Sequence, residues 1–195
     1  MDGNPPWFRP WVEHEQSARV LRLWTLSHFS GLVQCEGYAA SVLSVAPGVT
    51  GEQVAERTAA RMARQRVLTR DDPPTVWFLV DEAALYRRAG SPHVMAGQLR
   101  HLAAVAALPS VTVQVVPSVL HAGMSGSLAI ADNAAYIDTA AGGMVFEDAE
   151  TVRSLAIRFD TIRSVARPAT ELAAIIGEAV AKHEHEQLAQ VVLQL

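Results

Sequence analysis

Thr75-Val76-Trp77-Phe78-Leu79-Val80 is a run of β-branched, aromatic and aliphatic residues with no polar face, and it leads straight into Asp81-Glu82. A strand that is apolar on both sides needs cover on both sides, so this segment is expected as a central strand. Downstream, a helix is expected from about Val94 to Leu108. Val111 to Val116 then alternates valines with Thr112 and Gln114, as a half-buried strand does. Strand, helix and strand make one crossover unit. Leu128 to Ala131, Ala135 to Asp138 and Met144 to Phe146 are shorter strand candidates, and the Gly, Asn and Asp turns between them favour antiparallel hairpins. The expectation is an α/β (mixed α+β) fold: a central mixed sheet of about five short strands flanked by N-terminal and C-terminal helices.

Upstream of the strand run, Trp7, Trp11, Ala18, Leu21 and Trp24 fall at helical spacings, which predicts one amphipathic helix over residues 7–24. A second helix is expected from Cys35 to Leu43, after Ser30-Gly31 and before Pro47-Gly48. Thr50 followed by Gln53 has the form of a capping box and opens a third, running to about Leu68 and stopped by Asp71-Asp72-Pro73-Pro74. Its Arg57, Arg61 and Arg64 form a basic stripe, with Val54, Thr58, Met62 and Gln65 on the other side. Asp148 is expected to cap a helix over residues 149–166, and a last helix begins near Thr170. The apolar positions 172, 176, 179, 180, 188, 191, 192 and 195 of that helix fit either the domain itself or a second copy, so a homodimer is one of two expected arrangements.

Half of the 195 residues are apolar and 18% are charged, a balance that supports a folded core. The net charge of −4 has the wrong sign for a domain that holds nucleic acid by neutralising phosphates, so no direct nucleic acid binding is expected. The N-terminus lacks a basic region followed by an apolar one, and no apolar stretch approaches the roughly 18 residues that span a bilayer. A cytoplasmic chain without membrane contact is expected. Cys35 is the only cysteine, which excludes an intrachain disulfide and a cysteine-rich zinc site. Neither a metal nor a cofactor is expected.

Several segments, taken in order, resemble one known domain. They are Gly31-Leu32-Val33-Gln34-Cys35-Glu36-Gly37-Tyr38-Ala39, Arg61-Met62-Ala63-Arg64-Gln65, Leu68-Thr69-Arg70-Asp71-Asp72-Pro73-Pro74 and Asp81-Glu82-Ala83-Ala84-Leu85. Gln98-Leu99 with Leu102, Val111 to Pro117, the glycine loop His121 to Gly126, and Phe146-Glu147-Asp148 ahead of Arg158-Phe159-Asp160 continue the match. The chain is similar, over about Trp7 to Val180, to the domain of unknown function that follows an Xre-type helix-turn-helix in actinobacterial antitoxin-like transcriptional regulators. The resemblance implies an effector domain over residues 1–195 that senses a small ligand or binds a small partner protein, with residues 181–195 as a helical extension. The helix-turn-helix has no counterpart before Trp7, so the chain is expected as either a truncated regulator or a standalone homologue. Ser30 stands where the family usually has proline and Cys35 where it usually has threonine. Those departures leave open a standalone, cofactor-independent cyclase or isomerase derived from the same pocket.

The candidate site residues are Gln34, Glu36, Arg61, Arg64, Gln65, Asp81, Glu82, His121, Ser125, Tyr136 and Asp138. Gln34 and Glu36 flank Cys35 at a helix start, where the dipole favours a thiolate; a structural cysteine is the plainer reading. Arg61, Arg64 and Gln65 offer planar donors to a carboxylate, a phosphate or an acidic partner, against the alternative of a solvated helix face. Asp81-Glu82 ends a central strand, where ligand-facing groups gather in open α/β sheets, but also where a helix cap is needed. His121 and Ser125 belong to a glycine loop that fits a ligand lid or a simple turn. Tyr136 and Asp138 share one strand face. His183 and His185, two residues apart on a helix, point in different directions and read as a solvated tail.

Overall fold

The computed structural model describes residues 5–139 and 142–192. A short 3-10 turn, Pro6–Phe8, precedes α1 (Arg9–Ser17), and the chain then enters β1 (Val20–Thr25). Next come α2 (Glu36–Ser44), α3 (Gly51–Arg64), β2 (Thr75–Asp81), α4 (Glu82–Tyr86), α5 (Pro92–Ala106) and β3 (Val111–Val116). Strands β4 (Leu128–Ala131), β5 (Ala134–Thr139) and β6 (Gly142–Phe146) are followed by α6 (Ala149–Ser164) and α7 (Leu172–Val192). The expected mixed sheet flanked by helices is present, with six strands in the order β3-β2-β1-β4-β5-β6.

The added strand is β1, which corrects the expected helix over residues 7–24. Only Arg9–Ser17 is helical. Val20-Leu21-Arg22-Leu23-Trp24-Thr25 alternates Leu21 and Leu23 toward one face with Trp24 toward the other, and both faces are covered. Trp11, Ala18, Leu21 and Trp24 keep a helical spacing, but Leu21 and Trp24 fall on opposite faces of the strand, and pairing and burial between two neighbouring strands decide in favour of β. β1 pairs parallel with β2 and antiparallel with β4, so it is the strand at which the sheet changes sense.

The other elements lie close to their expected positions. The capping box of α3 is formed by Thr50 and Gln53, at 3.2 and 3.0 Å. Val76, Phe78 and Val80 of β2 enter the larger core beneath α1, α2, α5 and α7, while Leu79 enters a smaller core under α6. Val152, Leu155, Phe159 and Ile162 supply the α6 side. α7 packs along α5 and against α4 through Leu172, Ile176 and Ala179. Its His183 is no solvated residue: it is 1% exposed, with Nε2 at 2.9 Å from the Leu85 carbonyl. The side chains at 191 and 192, and residue 195, lie outside the described residues. Among the described residues no helix is long and apolar enough to cross a membrane.

In β6, a Cβ built on Gly143 falls 2.1 Å from the Tyr136 hydroxyl, so only glycine lets Tyr136 lie across the strand. Gly177 is the opposite case, an exposed glycine inside α7 with open space around it. Gly143→Ala is therefore expected to cost about 1–3 kcal/mol by forcing Tyr136 to move. Gly177→Ala is expected to stabilise by roughly 0.5–1 kcal/mol through helix propensity. Denaturant unfolding of the two variants measures both signs.

Candidate functional site

On the larger-core face of the sheet, beyond the carboxyl end of β1, lies a cavity of about 270 Å³. Its floor follows the strand register: Leu23 of β1 stands beside Ala129 of β4, which stands beside Tyr136 of β5. Two residues along β5 from Tyr136, on the same face, Asp138 reaches the rim. Trp7, Phe8 and Trp11 form an aromatic wall. Phe8 meets Tyr136 edge-on at 5.3 Å between ring centroids, and Trp11 lies 5.5 Å from the same ring. The roof is α3, which contributes Arg57, Arg61 and Arg64. The end is closed by the loop after β1, with His28, Ser30, Gly31 and Gln34.

The arginine stripe therefore faces inward and is not a solvated helix face. Arg64 and Glu15 of α1 make a buried ion pair, Nε to Oε1 at 2.7 Å, with side chains 8% and 1% exposed. Trp11 Nε1 donates to the other Glu15 oxygen at 3.3 Å, and the Arg64 guanidinium lies 4.8 Å from the Phe8 ring centroid. Burial pushes the Glu15 carboxyl above its ordinary value, and Arg64 and Trp11 oppose that shift. Arg61 is different. Its Nη1 donates to Gln34 Oε1 at 2.7 Å, but among the described residues no carboxylate lies within ion-pair distance of it. Burial, then repulsion from Arg64, holds its pKa down to about 10, with Asp138 acting the other way.

Glutamines fix the loop that closes the cavity. Gln65 Nε2 donates to the carbonyls of Gly31 at 2.9 Å and Gln34 at 2.7 Å. Gln98 of α5 accepts from Cys35 N–H at 2.8 Å and donates to the Val33 carbonyl at 2.6 Å. Gln34 itself is fully buried, donating to the Phe29 carbonyl at 2.6 Å. A Cβ on Gly31 would approach Arg64 Nη2 to 2.7 Å, so the loop backbone and the α3 arginines share one space.

Of the residues expected at a site, Gln34, Arg61, Arg64, Tyr136 and Asp138 come together in this cavity, and Gln65 stands behind it as a positioning residue. The rest lie elsewhere. Glu36 is exposed in the first turn of α2. Asp81 is the N-cap of α4, accepting from Ala83 N–H at 2.8 Å, and its other oxygen is 3.2 Å from His121 Nε2. Glu82 accepts from Ser118 N–H at 3.1 Å, and Ser125 is bonded to Arg158. His121 Nδ1 accepts from Gly123 N–H at 3.0 Å, and its ring stands edge-on to Trp24 at 5.1 Å, contacts that tie the glycine loop to β1. Cys35 borders the larger core without lining the cavity.

The candidate site residues read from the sequence leave out Glu15, His28 and the aromatic wall. Glu15 carried a usable signal, since it lies four residues after Trp11 on the buried side of α1. His28 carried none: it lies in a loop, and its role depends on which side of β1 that loop falls. Its Nδ1 is 3.0 Å from Ser27 Oγ. Burial, then the nearby Arg61, lowers its pKa from 6.5, with Asp138 opposing, so the ring is neutral at pH 7. The Tyr136 hydroxyl donates to Asp138 Oδ1 at 3.3 Å; burial and that carboxylate both raise the phenol's pKa.

Residues 8–178 match the model of the family described as Domain of unknown function (DUF5753). The chain belongs to that family. The match runs from Phe8 in the aromatic wall to Glu178 in α7, so the cavity lies within the DUF5753 region. No curated protein matches the chain. Among the described residues, no group of three or more His, Cys, Asp or Glu side chains is placed to hold a metal ion.

Arg64→Ala leaves the buried Glu15 charge uncompensated and is expected to cost about 3–5 kcal/mol, part of which Glu15→Gln in the same chain restores. Arg61→Gln strands no carboxylate and is expected to unfold at nearly the wild-type denaturant midpoint. A lowered histidine pKa means that the unfolded chain binds more protons than the folded one below pH 6.5. The contribution of His28 is thus complete above that pH and is lost as pH falls. His101, lowered by burial, acts in the same direction. Unfolding midpoints measured across pH 6.5 are expected to drop on the acid side, less steeply in His28→Gln.

Proposed function

We propose that this DUF5753 chain is the effector module of an antitoxin-like transcriptional regulator of the actinobacterial type, and that it binds a small anionic molecule in the cavity under α3. The observation that carries this reading is Arg61: a partly buried guanidinium in a cavity, hydrogen-bonded to Gln34, with no carboxylate of the described chain paired to it. A buried cation without a counter-ion is costly, and a ligand carboxylate or phosphate in bidentate contact offsets that cost. Arg57 adds a second positive charge to the same roof. The setting next to an Xre-type helix-turn-helix and a small partner protein comes from the family resemblance.

A second reading, a cofactor-independent cyclase or isomerase, is favoured by His28. A neutral imidazole in the same cavity as the Tyr136–Asp138 pair supplies a proton acceptor and a proton donor without metal or nucleotide. Both readings place the ligand in one site and differ in what leaves it.

Native mass spectrometry of the protein purified from its host separates these outcomes. The expected result is a retained small anion whose occupancy falls at least about tenfold in Arg61→Gln. Equal retention by the variant overturns the role of Arg61, and a bound small protein with the cavity empty overturns the small-molecule reading. Release of the compound with unchanged mass but altered connectivity, abolished in His28→Gln, establishes the enzyme.

A further inference from the structure

The cavity that receives an anion at Arg61 carries the opposite charge on its other bank. Asp138 lines the rim from β5, with Oδ1 accepting the Tyr136 hydroxyl at 3.3 Å. It is near enough to oppose the pKa shifts of both Arg61 and His28, yet it is paired with neither. Two opposite charges line one cavity without touching each other. A simple anion seated on Arg61 meets the repulsion of Asp138, and a simple cation beside Asp138 meets Arg61 and Arg57. A ligand that carries both charges a few bonds apart satisfies the two banks together.

Size and lining narrow the class. At about 270 Å³ the cavity lies just below the roughly 300–1,000 Å³ of sites that take drug-sized ligands, which suits a single small metabolite. Trp7, Phe8, Trp11 and Tyr136 line one side of it, and Trp7 is still 46% exposed, so apolar aromatic surface remains to be covered by a ligand. His28, neutral at pH 7, adds a hydrogen-bonding group there without changing the charge balance.

We propose that the cavity binds a zwitterion of the aromatic α-amino-acid type, its carboxylate on Arg61, its ammonium on Asp138 and its ring against the Trp7–Phe8–Trp11 wall. This rests on the reading of the cavity as an anion-receiving ligand site and adds the second charge and the ring. Asp138 and Arg61 are then the two specificity determinants. Removing either is expected to change which analogue binds as well as how tightly.

Calorimetric titration of the full chain with L-tryptophan, tryptamine, indole-3-propionate and L-alanine tests the assignment. L-tryptophan is expected to bind at least about tenfold more tightly than each of the others. In Asp138→Asn, which keeps an acceptor for Tyr136, its advantage over indole-3-propionate is expected to vanish. In Arg61→Gln its advantage over tryptamine goes, and Arg61→Lys, which keeps the charge, restores part of it. Should indole-3-propionate match L-tryptophan, with Asp138→Asn binding both as the wild type does, the zwitterion is overturned and the anion site stands. If the wild type binds none of the indole compounds, or binds L-alanine as well as L-tryptophan, the aromatic amino-acid class is overturned. Unchanged affinities in Arg61→Gln overturn the anion site as well.

Discussion

The ion pair between Glu15 and Arg64 is the constraint around which the site is arranged. It joins α1 to α3 across the sheet face, out of solvent, where each charge is tolerable only because the other is present. Trp11 and Phe8 close around it, one by a hydrogen bond to Glu15 and one beneath the guanidinium. Two arginines one turn apart on α3 are thereby given different roles. Arg64 is neutralised by its own chain, and Arg61, whose nearest hydrogen-bond partner is a neutral glutamine, is not. Repulsion between them adds to the effect of burial on Arg61, so the satisfied pair makes the unsatisfied charge more demanding.

The loop from His28 to Gln34 depends on the same arrangement. Its backbone passes close to both arginines at Gly31, and its carbonyls are held by Gln65 from α3 and Gln98 from α5. This is a short irregular segment at the carboxyl end of a central strand, and its polar groups are paired with side chains because no strand or helix pairs them. A rigid loop of this kind presents His28 and Gln34 to the cavity at fixed positions. Ser30 falls inside it, and Cys35 follows it as the N-cap of α2. Ser30 lines the cavity and its hydroxyl caps the Gly31–Val33 turn, while the Cys35 N–H is bonded to Gln98 away from the cavity lining.

Much of the fold was legible along the chain because its signals are local. The apolar run of β2, the alternation in β3, the Thr50–Gln53 box and the Asp148 cap each specify their own element through contacts within a few residues. β1 was not legible as a strand, since Trp11, Ala18, Leu21 and Trp24 satisfy a helical spacing that continues from a true helix. The sheet on either side of it resolves the ambiguity. His183 was misplaced for a similar reason: its position on the helix is plain, but its burial is set by α4, nearly a hundred residues earlier.

By itself, the sequence determined the class of fold, most element boundaries, the family and the residue types available for a site, because these follow from periodicity, capping and motif order. It also placed Gln34, Arg61, Arg64, Tyr136 and Asp138 among the candidates. Only the tertiary structure decided which of these share a cavity, that Asp81, Glu82, His121 and Ser125 lie outside its lining, and that Glu15 neutralises one arginine and leaves the other. The physical reason is that charge compensation and burial depend on distances between elements far apart in the chain. No local pattern encodes them.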